Sequence, residues 1–187
     1  TYWDEISYIF DWALTHVTST LYICWSAQAG LYHHYGVPKY ALDKKMFGIF
    51  EHRTLQPLHP IFRGFDDMFY VPHSRHTEVR REDIQKVPEL TLLSESEDAG
   101  VYMAVARGGR EFFVTGHSEY SPLTLDTEYR RDLNKGLPIE IPRNYYVDDD
   151  PDKGVLVRWR AHANLLFSNW LNYFVYQETP YNINEIG

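Results

Sequence analysis

The chain has 187 residues, 44% hydrophobic and 24% charged, which suits one globular domain. Eighteen Lys and Arg against 26 Asp and Glu leave a net charge of −8, without the basic footprint of a general nucleic-acid binder. A single cysteine excludes an internal disulfide, and with it a disulfide-stapled secreted scaffold.

The apolar residues of 2–17 recur at Trp3, Ile6, Ile9, Phe10, Ala13, Leu14 and Val17, a helical spacing. This stretch is broken by Asp11 and His16 and has no cationic lead, so it is neither a signal peptide nor long enough to span a membrane. The apolar run 21–25 reads as a buried strand. A helix from Ser26 to about Gly36 follows, stopped by Gly36-Val37-Pro38. Strands are expected over 46–51 and 68–71, with 71–76 as a polar loop and 80–86 as a short helix. Three further strands are expected over 90–93, 101–106 and 111–114. The last two are joined by Arg107-Gly108-Gly109-Arg110, a hairpin signal because Gly-Gly tolerates positive φ. Residues 122–135 read as a helix, 137–154 as a loop, and 155–177 as one long amphipathic helix. Strands alternating with helices predict a three-layer α/β fold around a mostly parallel sheet. Sites in such folds lie beyond the carboxyl ends of strands.

Two clusters fall there. Cys24 stands where a strand meets a helix, and a helix N-terminus favours a thiolate. That placement is a nucleophile elbow, although a lone cysteine in an apolar run also fits a small core residue. His117 and Glu119, two apart at a strand end, can share one side of the chain. The imidazole can then take a thiol proton while the carboxylate orients the ring. The backbone N–H of Trp25 would supply part of an oxyanion hole.

Together, Ile23-Cys24-Trp25-Ser26-Ala27-Gln28 and Thr115-Gly116-His117-Ser118-Glu119 resemble the Cys…His-x-Glu triad of class I glutamine amidotransferase-like folds. The closer resemblance is to one branch, the homoserine O-acyltransferases. It is carried by residues 16–21, 47–52, 63–67 and 72–75, and by the specific C-terminal stretches 164–173 and 176–181. The resemblance implies that Cys24 becomes the acyl-thioester, that His117 is the general base and that Glu119 is its acidic partner. It also implies that Lys45, Ser74 and Arg131 bind substrate. Arg131 can grip a carboxylate in two places, Ser74 can hydrogen-bond, and Lys45 offers a point charge. The implied reaction moves an acyl group from acyl-CoA to the hydroxyl of L-homoserine in methionine biosynthesis. No bound cofactor is implied, acetyl-CoA is favoured over succinyl-CoA, and the implied state is a homodimer. Family members carry an N-terminal portion that precedes Thr1, including first strands and the residue that sets acyl preference, so a piece of a longer protein is expected. An amidase of the same fold and a non-catalytic truncated homologue are the alternatives.

Other features point less far. His33-His34 and His73/His76 lack a Cys or acidic partner at metal-ligand spacing, so no metal is expected. Asp148-Asp149-Asp150 lacks the glycine and glutamate of a calcium loop. The aromatic C-terminal segment reads as core or dimer interface. A cytoplasmic protein touching neither nucleic acid nor membrane is the expectation.

Overall fold

The structure is a computed structural model that describes Tyr2–Tyr181 and Asn184. Helix α1 (Tyr2–His16) leads into β1 (Thr20–Ile23), α2 (Trp25–Tyr35) and the long strand β2 (Tyr40–Thr54). Strand β3 (Met68–Glu78), the single-turn helix α3 (Arg81–Gln85), β4 (Leu90–Ser96), β5 (Gly100–Ala106) and β6 (Glu111–Val114) follow. Helix α4 (Thr124–Asn134) and helix α5 (Arg160–Asn169) complete the fold, with a π-helical stretch Trp170–Tyr176 after α5. No described helix is long and apolar enough to cross a membrane.

The sheet runs β1-β6-β5-β4-β2-β3. Only β1 and β6 pair in parallel, and the other four neighbouring pairs are antiparallel. The expected mostly parallel sheet is therefore wrong for these strands. The reason lies in the connections. A parallel neighbour needs a crossover of a dozen or more residues, and the links β4–β5 and β5–β6 are tight turns. The three-layer α/β class stands, because both faces of the sheet are covered. Adjacent residues of β6 show it: Phe113 faces a core with Phe10, Tyr22, Ala27 and Leu31, and Phe112 faces one with Phe62, Leu166 and Phe174. A third cluster seats Leu125, Tyr145, Tyr146 and Trp159 on Phe47 and Ile49 of β2.

Two other expectations change. Residues 72–76 are strand, with Ile49 opposite Pro72 and Phe47 opposite Ser74. Pro72 is tolerated because β3 is the sheet edge, and the polar residues that suggested a loop are turned inward, with His73 and Arg75 buried. Residues 155–177 are not one helix. Leu156 N–H donates to the Tyr145 carbonyl at 2.8 Å and Val155 bridges Tyr146, so this start of the segment is extended. Its apolar residues Val155, Val157 and Trp159 belong to the third core. The hairpin turn is as expected, with Gly108 and Gly109 at φ of 64° and 96°.

Candidate active site

The site is built on the parallel pair. In the register of β1 and β6, Ile23 lies opposite Val114, and Cys24 N–H continues the pairing to the Val114 carbonyl at 2.7 Å. Cys24 has φ 51° and ψ −106°, a costly conformation for a residue with a Cβ. Ser26 holds the elbow from inside. Its hydroxyl accepts from Ile23 N–H at 2.9 Å and donates to the Ile23 carbonyl at 2.8 Å. Trp25 opens α2, and its N–H is among those of a first helical turn, which have no intrahelical acceptor.

His117 follows β6 by three residues. Its backbone N–H donates to the Pro72 carbonyl at 2.8 Å, which ties the loop to β3. Gly116 makes this approach possible, because a Cβ there would lie 2.5 Å from Val71 Cγ1 and 2.9 Å from His73 Nε2. The His117 ring stacks on Tyr120, with centroids 4.1 Å apart and planes 15° apart. Nδ1 is 2.6 Å from Glu119 Oε1, and the Cys24 side chain is near enough to act on the ring's protonation. With Nδ1 held by Glu119, Nε2 is the atom left for the sulfur. Burial acts to lower the His117 pKa, but the hydrogen bonds and charges of Cys24 and Glu119 outweigh it and raise the ring to about 9. Cys24 thus meets His117 and Glu119, 93 and 95 residues further along the chain, in one cluster.

Lys45, Ser74 and Arg131 meet in another, around a residue that sequence reasoning missed. Glu128 lies 2.6 Å from Lys45 Nζ and accepts from the Ser74 hydroxyl, with 2.9 Å to each carboxylate oxygen. Arg131 Nη2 is 3.8 Å from Glu128 Oε1, and Arg131 Nε donates to Asp132 Oδ1 at 2.6 Å. The available signal was position: Glu128 precedes Arg131 by three on α4, one turn apart on the same face. Ser74, Tyr120, Thr124, Glu128 and Arg131 line a cavity of about 570 Å³. Tyr120 joins the two clusters, since it stacks on His117 and lines this cavity.

This arrangement offers a nucleophile, a proton carrier and a polar cavity in contact. A family profile described as homoserine O-succinyltransferase matches residues 1–181. The chain belongs to the homoserine O-succinyltransferase family. A homoserine O-acetyltransferase of Bacteroides thetaiotaomicron is 90% identical over 186 residues, covering 100% of this chain and 61% of the relative. The homoserine O-acetyltransferase of Parabacteroides distasonis is 74% identical over 186 residues, again 100% of this chain and 60% of the relative. The chain thus spans about three fifths of the length of these family members. Among solved structures, a glutamine amidotransferase from Thermotoga maritima superposes with a TM-score of 0.65 at 17% identity, covering 92% of this chain and 69% of that one. One from Methylobacillus flagellatus gives 0.67 at 10% identity, with 97% and 72% covered. These likenesses show that this chain has the class I glutamine amidotransferase fold.

Proposed function

We propose that the protein to which this chain belongs acetylates L-homoserine with acetyl-CoA, through a thioester on Cys24, as an early step of methionine biosynthesis. The observation that carries the reading is the His117 ring paired with the Glu119 carboxylate at 2.6 Å beside the Cys24 elbow, whose side chain raises the ring's pKa. Close relatives named homoserine O-acetyltransferase support the acetyl donor. No cofactor is required, because the acyl carrier is itself a substrate.

The steps balance as follows. The Cys24 proton passes to His117, and the sulfur attacks the acetyl carbonyl carbon. The Trp25 N–H stabilises the oxyanion. The carbon–sulfur bond to CoA breaks, and the departing thiolate takes the proton from the His117 imidazolium. Acylation removes the Cys24 interaction that raised His117, so the ring rests on Glu119 alone and stays neutral more readily, ready to accept a proton. His117 takes the homoserine hydroxyl proton, the oxygen attacks the thioester, and the bond to Cys24 breaks. Product leaves, and the proton returns from the His117 imidazolium to the Cys24 sulfur, closing the cycle.

The cavity beside Tyr120 suits an amino acid. Arg131 meets the α-carboxylate, and Glu128 meets the ammonium in exchange for its contact with Lys45. Ser74 orients the substrate between them, and Lys45 pairs with Glu128 while the site is empty. A cytoplasmic homodimer is the proposed setting.

The test is a rapid-quench assay of the full-length protein with labelled acetyl-CoA. One labelled thioester per active site should form before homoserine is added, and ping-pong kinetics should follow. Cys24→Ala should abolish the label and lower turnover by about 1,000-fold or more. Full turnover in that variant, or glutamine hydrolysis in place of acetyl transfer, would sink the reading.

A further inference from the structure

At the other end of the β1–β6 pair, a second group of ionisable side chains gathers. His33 and His34 close α2, roughly 13 Å along the helix axis from Cys24. Their sequence neighbours offer no acidic partner, but the fold supplies one from α1. Asp11 Oδ1 is 2.7 Å from His33 Nε2. One ligand atom each from Asp11, His33 and His34 lies within 4.8 Å of the other two.

Behind His34 stands Glu111, the first residue of β6, only 1% exposed. Its Oε2 accepts from the Tyr35 hydroxyl at 2.5 Å. Its Oε1 is buried, has no hydrogen-bond partner among the described residues, and lies 3.7 Å from His34 Nε2. A buried carboxylate oxygen left unpaired is costly unless a positive charge compensates it. This carboxylate points at an imidazole that itself belongs to a ligand cluster.

We propose that Asp11, His33 and His34 bind a zinc-like divalent cation, with Glu111 as the carboxylate behind the His34 ligand. The donor set decides the class of ion. Two imidazoles and one carboxylate suit zinc and its transition-metal neighbours, while magnesium and calcium take oxygen donors. A histidine ligand backed by a carboxylate is the recurring outer-shell arrangement of such sites. Three protein ligands leave a fourth position for water. An ion between Asp11 and His33 would open their contact to roughly 3.3 Å, the separation of two tetrahedral ligands with bonds near 2.0–2.1 Å. Asp11 is mostly exposed and free to make that move. The ion would clamp α1 to the end of α2. It would stabilise the helix that carries the elbow without entering the acyl transfer.

The experiment uses the full-length protein carrying Cys24→Ala, so that the thiol cannot compete for metal. Zinc chloride is titrated by calorimetry, and cobalt(II) chloride by visible absorption. One equivalent of zinc should bind, and it should raise the melting temperature. Adding Asp11→Ala or His33→Ala should weaken zinc binding by about tenfold or more and remove most of the thermal shift. Both side chains are at least partly exposed, so these variants should fold. A circular dichroism spectrum and melt without metal check that they do. No bound equivalent, or the same affinity and thermal shift in both variants, overturns the proposal. The second result would also be the sign of zinc held by other surface histidines.

Discussion

Arg75 Nε donates to His73 Nδ1 at 3.2 Å, and that contact fixes every proton in the buried chain behind it. Arginine only donates, so His73 Nδ1 is bare and its hydrogen sits on Nε2. His73 Nε2 therefore donates to His52 Nε2, with the nitrogens 3.1 Å apart, which leaves His52 Nδ1 to donate to the Phe50 carbonyl at 2.9 Å. Arg75 also donates to the carbonyls of Thr77, at 2.7 Å, and Ala99. All three side chains are 5% exposed or less, and His73 Nε2 is one of the atoms that a Cβ at Gly116 would strike. A fully bonded polar chain therefore supports the loop that carries His117.

That chain makes the fold sensitive to acid. Burial above all pushes His52 down to about 3, and burial pushes His73 well below the usual histidine range. Both rings stay neutral in the folded state while the unfolded chain protonates them near pH 6.5. Their contribution is complete above that pH and is lost as the pH falls towards 3. Each histidine should steepen the decline by about 1.4 kcal/mol per pH unit in that window. Urea melts at a series of pH values check it, and a flat profile between pH 6.5 and 4.5 would contradict it.

His117 works in the opposite sense. Its folded pKa of about 9 lies above the unfolded value of 6.5. The stability it contributes is therefore full below pH 6.5 and is lost as the pH rises through about 9. Removing either supporting partner should bring the titration down. Cys24→Ala and Glu119→Gln should each lower the His117 midpoint by about one unit or more, as read from imidazole NMR shifts. A midpoint near 9 in both variants would show that neither group holds the proton.

Gly116→Ala tests the packing under the site. The new methyl would press on Val71 and His73, at a cost of about 1–3 kcal/mol in stability. It would also push His117 away from Cys24. A displacement on the order of 1 Å costs about 100-fold in turnover, so kcat should fall much further than the melting temperature suggests. Wild-type turnover in a folded Gly116→Ala protein would mean that the loop has room to spare.

Glu128 separates the two half-reactions. Glu128→Gln should raise KM for homoserine by about tenfold or more, through loss of a charged hydrogen bond. The burst of Cys24 acylation should be unchanged. An equal loss of both steps would place Glu128 in the general architecture of the site instead.

The helices were legible where their apolar spacing was clean, as in α1, and the elbow was legible because a strand-like run met small helix-forming residues at Cys24. Strand direction was not legible, because it is set by which strands become neighbours and not by their residue patterns. The 72–76 segment misled for a physical reason: His73, Ser74 and Arg75 look solvated, yet they are polar because they build the buried chain and face Glu128. The resemblance gathered Lys45, Ser74 and Arg131 by motif. Glu128, at the centre of the three, was marked only by its one-turn spacing from Arg131, a weak sign, since an acid on an exposed-looking helix is ordinary until the fold places cations around it.

The pairing of Ile23 with Val114 has an evolutionary corollary. Side chains alternate faces along a strand, so a one-residue deletion in β6 would send His117 to the wrong side of the sheet and silence the thiol without touching any of the three reacting groups. Insertions are survivable at exposed turns away from the ladder, such as 56–58 or 135–138. Descendants of this scaffold can therefore exchange the walls that recognise a substrate while the four-residue ladder of β1 and β6 stays invariant in length.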